Sequence, residues 1–211
     1  MSHDLLTLVQ WLSPAFPTGG FAYSHGLESA ISTGQVADAA DVRRWLAEVL
    51  EFSAGRQDAI LLVQALREGA DHDALDTLAR ALQPSTERLS ETLDQGTAFA
   101  RTVAGLTGRP LPARCLPVAV GEAAALLALP EAQVAALYLH AFSSNLTSVA
   151  MRFVPLGQAE GQGVLAALHP LIDALAQEAT GLTLDDLGAS ALGADLSAMA
   201  HETMDVRIFR T

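Results

Sequence analysis

Residues 118–129 read Val118-Ala119-Val120-Gly121-Glu122-Ala123-Ala124-Ala125-Leu126-Leu127-Ala128-Leu129, with Glu122 as the single charge. Ala and Leu are strong helix formers, and nothing here alternates with the period of two that a strand requires. A helix that is apolar nearly all round belongs at the centre of a fold rather than on its surface. The stretch therefore predicts an all-α architecture built around a buried helix.

The same reading extends in both directions. Pro130 fits the first turn of a following helix that runs through Phe153, and Val154-Pro155-Leu156-Gly157 breaks it. A helix over residues 160–179, kinked near Pro170, comes next; Asp185-Asp186 lies in a short helix or loop, and a last helix covers 196–204. Upstream, Gly108-Arg109-Pro110-Leu111-Pro112 is a turn, and Pro84-Ser85 opens a long helix carrying Leu89, Leu93, Phe99, Val103 and Leu106. Residues 73–83 are amphipathic. Gly55 interrupts a helical region that Asp41 caps and Val42, Trp45, Leu46, Val49 and Leu50 stripe. Residues 4–12 and roughly 27–32 form two short helices, separated by a Pro- and Gly-rich segment that cannot be regular helix.

Composition agrees. The 211 residues include 39 Ala and 34 Leu against 13 Val and 4 Ile. The length favours one domain over 1–211, a bundle of roughly eight to ten helices, with 204–211 as a C-terminal docking tail. Half of the residues are hydrophobic, too many for a disordered chain. A single cysteine, Cys115, excludes a disulfide framework and a Cys-based zinc site, and its apolar setting predicts a buried thiol. No run of 18 apolar residues suggests a membrane span, and no basic-then-apolar start suggests a signal peptide, so a cytoplasmic location is expected. All 12 cationic side chains are Arg, against 24 Asp+Glu, a net charge of -12. Such a chain is a poor ligand for nucleic acid.

No residue pattern supplies catalysis. His3, His25, His72, His140, His169 and His201 are scattered, with no HExxH or H-x-x-x-H pair. Thr18-Gly19-Gly20 lacks the Gly-Lys-Ser/Thr ending of a phosphate loop, and Ser24-His25 lacks a nucleophile elbow. Asp185-Asp186 reads as a solvated pair near a helix start. Phe16, Phe21 and Tyr23, crowded beside glycines, read instead as a contact surface, and so does the tail Val206-Arg207-Ile208-Phe209-Arg210.

Ser13-Pro14-Ala15-Phe16-Pro17-Thr18-Gly19-Gly20-Phe21-Ala22-Tyr23-Ser24-His25-Gly26-Leu27-Glu28 resembles the main signature of the urease accessory protein UreF family. Pro117-Val118-Ala119 with Gly121, Ser144-Asn145-Leu146 followed by Arg152 and Pro155-Leu156-Gly157-Gln158, and His201-Glu202 with Arg207-Ile208-Phe209-Arg210-Thr211 resemble later blocks in the same order. Thr211 stands where Ser is common, and Asp205-Val206 replace a polar-aromatic pair.

The resemblance implies a non-catalytic, all-helical scaffold that forms a homodimer and joins a UreD/UreH-type protein. That assembly recruits the GTPase UreG and delivers nickel to apo-urease. Nickel is then handled by the assembled complex, with no metal or cofactor held tightly by this chain. The residues it implies at partner interfaces are Phe21, Tyr23, Glu28, Arg152, Met204, Arg207, Ile208, Phe209 and Arg210. Tyr23 and Arg207 would rearrange, and the tail from Met204 would order, on meeting the UreD-type partner. A helical nickel carrier or a generic helical interaction protein remain the other readings.

Overall fold

Gly121 sits where two helices cross so closely that a Cβ there would lie 2.6 Å from the Ala65 Cβ and the Leu62 carbonyl oxygen. Only glycine permits that approach. In the computed structural model, which describes residues 3–188 and 190–211, the helices are α1 (His3–Trp11), α2 (Leu27–Ser32), α3 (Ala39–Phe52), α4 (Ala54–Leu66), α5 (His72–Ala81), α6 (Thr86–Thr107), α7 (Leu116–Ala124), α8 (Glu131–Phe153), α9 (Gln158–Ala179) and α10 (Leu192–His201). Among the described residues there is no strand.

The buried helix expected from residues 118–129 is α7, packed between α4 and α6 and also touching α5. It stops at Ala124, earlier than the apolar run. Leu126 is 72% exposed, whereas Leu127 and Leu129 stay packed on the core. Pro130 disfavours helical geometry only at Leu129, and itself sits just outside α8 rather than in its first turn. α8 and α9 form a hairpin through a short connector, and α9 also packs on α3. Pro170 lies within α9, as expected.

Other starts shift for local reasons. Asp38, not Asp41, caps α3 by accepting the Asp41 N–H, while Asp41 accepts the Ala37 N–H. The break before α4 falls at Ser53, and Gly55 is inside that helix. The last helix lies at 192–201 rather than 196–204, because turns at Thr203 and Met204 start the tail early. Cys115 is buried, and burial pushes its thiol up to about 12, so it is inert as a nucleophile. No described helix is long and apolar enough to cross a membrane.

Candidate functional site

The Pro- and Gly-rich segment ends in two consecutive left-handed residues, His25 (φ 58°) and Gly26 (φ 79°). Together they turn the chain sharply into α2. A Cβ on Gly26 would lie 2.7 Å from the Ala198 nitrogen, so α10 is seated directly on this turn. α10 then releases the tail back towards the same loop. The Arg210 N–H donates to the Ala22 carbonyl at 2.9 Å, and the Ser24 N–H donates to the Thr211 main-chain oxygen at 3.0 Å. The Ser24 hydroxyl also donates to that oxygen, so Ser24 is occupied and forms no pair with His25.

Glu28 on α2 holds the tail. One carboxylate oxygen accepts the Ile208 N–H at 2.9 Å, and the other accepts the Phe209 N–H at 3.0 Å. Burial would raise this carboxyl; the Phe209 N–H, His201 and the Ile208 N–H outweigh it and hold Glu28 below the ordinary carboxylate value. His201 is fully buried between two acids, with Nε2 3.1 Å from Glu28 and Nδ1 2.7 Å from Glu87. Both ring nitrogens thus lie within hydrogen-bond reach of a carboxylate oxygen. Glu87 also accepts from Arg207 at 2.6 Å.

A second anchor is built on α6. The Tyr23 hydroxyl donates to Asp94 at 2.9 Å and accepts from Arg210 at 2.9 Å, while Arg210 lies over the Tyr23 ring. Burial first, then the Asp94 bond, pushes the phenol up to about 12. Below it, the Thr211 hydroxyl donates to Glu91 at 2.8 Å. Glu91 pairs with buried Arg88 and lies 3.7 Å from His25. Burial alone would raise Glu91, but Arg88 and then His25 bring it to about 2. His25 is lowered, mainly by burial and then by Arg88. Phe209 packs edge-on against Phe153, with Arg152 5.9 Å from its ring centre.

The nine residues implied by resemblance are therefore brought together, but they face in different directions. Tyr23, Glu28 and Phe209 point inward and hold the tail. Phe21 (65% exposed), Ile208 (68%), Arg152, Arg207 and Arg210 face outward, and Met204 is half-buried. The tail that was expected to order against a partner is packed here against its own loop.

Sequence reading missed the other half of the site. Glu87, Arg88, Glu91 and Asp94 share one side of α6, which was read only for its leucine stripe, and Leu106 of that stripe is exposed. Their spacing of three and four along a helix was the available signal. Two cavities, of about 220 and about 260 Å³, lie behind the loop, and Asp58 and Arg88 line both. Burial raises Asp58 to about 6 against the opposing bond from the Tyr138 hydroxyl at 2.6 Å. Among the described residues no group of three or more His, Cys, Asp or Glu gathers to hold a metal ion. The arrangement binds and orients chain segments; it places no nucleophile beside a base.

The UreF family model matches residues 36–169. Over its full length the chain is 67% identical to a urease accessory protein UreF of Cereibacter sphaeroides (strain KD131 / KCTC 12085), covering all of that protein. It is 54% identical over 206 residues to the urease accessory protein UreF of Paracoccus denitrificans, with 98% of this chain and 95% of that one covered. It is 47% identical over 215 residues to that of Roseobacter denitrificans, with 100% and 96% covered. The loop and tail lie outside the residues matched by the family model but inside the span shared with these relatives. The chain thus belongs to the UreF family of urease accessory proteins, which are not catalytic enzymes.

Proposed function

We propose that this chain is an adaptor in urease maturation, joining a UreD/UreH-type protein to the GTPase UreG so that nickel reaches apo-urease. The observation that carries this reading is the outward face of the docked tail. Arg152, Arg207 and Arg210 surround exposed Phe21 and Ile208 on a chain whose net charge is -12. Apolar anchors ringed by arginine suit a protein partner with an acidic, apolar-centred surface. The absence of any lysine leaves no P-loop lysine, so GTP chemistry falls to the partner.

The adaptor works as a homodimer in the cytoplasm, and the nickel is held by the assembled complex. Exposed Leu192, Leu196 and Met199 on α10 offer an uncharged face for a second copy. Co-purification with UreD- and UreG-type proteins tests the reading. A chain ending before Met204 should lose the UreD-type protein while its helical circular dichroism persists. Retention of that partner would refute the role given to the tail.

A further inference from the structure

Ser144-Asn145-Leu146 carries an asparagine where a helix has little use for one. Asn145 lies well inside α8, far from either end, and asparagine is a poor helix former there because its amide competes for hydrogen bonds. Its side chain leaves the helix instead: Nδ2 donates to the Gly20 carbonyl at 2.9 Å, 125 residues earlier in the chain. Gly20, Phe21 and Ala22 form a single 3-10 turn, and all three of its carbonyls are engaged. Gly20 O also accepts the Tyr23 N–H at 3.1 Å, and Ala22 O accepts the Arg210 N–H at 2.9 Å. Phe21 O makes a longer contact with Arg152, at 3.5 Å. The Phe21 side chain is nevertheless 65% exposed. A large apolar ring therefore stands in water on a backbone that α8 and the tail hold from both sides.

We propose that Asn145 is a positioning residue for partner recognition: its amide fixes the Gly20–Ala22 turn so that Phe21 meets the UreD-type partner as a preformed anchor. This rests on the adaptor reading above. An anchor that is already ordered loses less conformational freedom on association, so the same contacts bind more tightly. Aromatic anchors of this kind carry a large share of the energy of an interface. Asn145 is half-buried and lines the cavity behind the loop, so it acts through Phe21. α8 is also a better platform than a loop for holding such a group in place. Within this turn the tail bonds only Ala22 through its main chain, and the Asn145 bond to Gly20 is independent of it. A tail that rearranges on meeting a partner would therefore leave the α8 hold intact.

The test is a double-mutant cycle on the full chain, with binding to the purified UreD-type protein measured for N145A, F21A and the double variant. N145A removes the amide and leaves a better helix former, so α8 is expected to fold as before. It should weaken binding about threefold to tenfold, the range of one neutral hydrogen bond. F21A should weaken it by at least about tenfold, and in the F21A background the N145A loss should disappear. S148A, one turn further along α8 where the hydroxyl bonds only the Ser144 carbonyl, should bind like the parent. Hydrogen exchange on the isolated chain should show the Ala22 and Tyr23 amides, which donate to Gly19 and Gly20, exchanging faster in N145A. Parental affinity in N145A would overturn the proposal, as would a loss undiminished in the F21A background, or unchanged exchange at both amides. Failure of the unaltered chain to bind would refute the adaptor reading itself. The exchange measurement needs no partner and still decides whether Asn145 holds the turn.

Discussion

Glu28 Oε2 accepts the Phe209 main-chain N–H at 3.0 Å, so a carboxylate at the start of α2 grips the chain 181 residues further on. The same carboxylate is bonded to Ile208 and His201, and one side chain therefore fixes the tail and the end of α10 together. Replacing Glu28 by Ala strands a ring nitrogen of buried His201 and the Ile208 and Phe209 N–H groups. The expected cost is about 2–4 kcal/mol, since buried donors left unpaired lose their full desolvation energy. Limited proteolysis should cut the variant near residues 204–208 well before the parent protein. Equal protection of the tail would show that other contacts suffice.

Acid should loosen the same region. Glu91 and Glu28 are both held below their unfolded values, so the folded chain binds fewer protons than the unfolded one. Their contribution is complete above pH 4.5, the ordinary value. For Glu91 it is lost progressively as pH falls towards about 2. Melting temperature followed from pH 6 downward should drop across this window. In Glu91→Gln the drop should be shallower.

Asp58 has the opposite sign. Its folded value of about 6 lies above the ordinary 3.8, so its stabilising effect is present below 3.8 and is lost as pH rises through about 6. At neutral pH a buried charge remains, helped only by the Tyr138 hydroxyl and more distant Arg88. Asp58→Asn keeps a partner for Tyr138 and removes the charge. It should stabilise the protein by about 1–2 kcal/mol at pH 7.5, once partial solvent access is allowed for. The gain should vanish by pH 4. A melting temperature that is unchanged, or lower, at pH 7.5 would contradict the assignment.

Partner binding and folding separate at Arg207 and Tyr23. Arg207 is exposed, and its pairing with Glu87 contributes no more than about 1 kcal/mol. Arg207→Ala should therefore lower urease activation in cells while leaving helical content and melting nearly unchanged. Tyr23 is buried, so truncation to Ala would create a cavity and confuse the two effects. Tyr23→Phe is the cleaner variant. It removes the bonds to Asp94 and Arg210 and should reduce retention of the UreD-type partner, measured by co-purification, without loss of helicity.

The helical body was legible because its signals are local. Ser85 caps α6, a Pro-Gly stretch separates α1 from α2, and the 118–129 run marks α7. Composition marks loop and tail as segments with unusual aromatic, glycine and arginine content, but that they pack on each other is set by contacts no local window shows. What was not legible was burial of charge. Arg88, Glu91 and His201 look like solvent-facing residues in any short window; Arg88 and Glu91 pair with each other inside α6, whereas His201 is satisfied only by Glu28 and Glu87, more than a hundred residues away. The end of α7 at Ala124 was missed for a related reason. An apolar run shows which residues can be buried, and the turn before Pro130 decides which ones are.

Ser24 and Thr211 lie 187 residues apart, and α2, α6 and α10 hold the loop and tail where they meet. Their contact therefore reports that these three helices have come together. A partner that reads the docked tail would select chains in which this assembly is complete. In that sense the latch is an inspection point: quality control written into the geometry of the two ends.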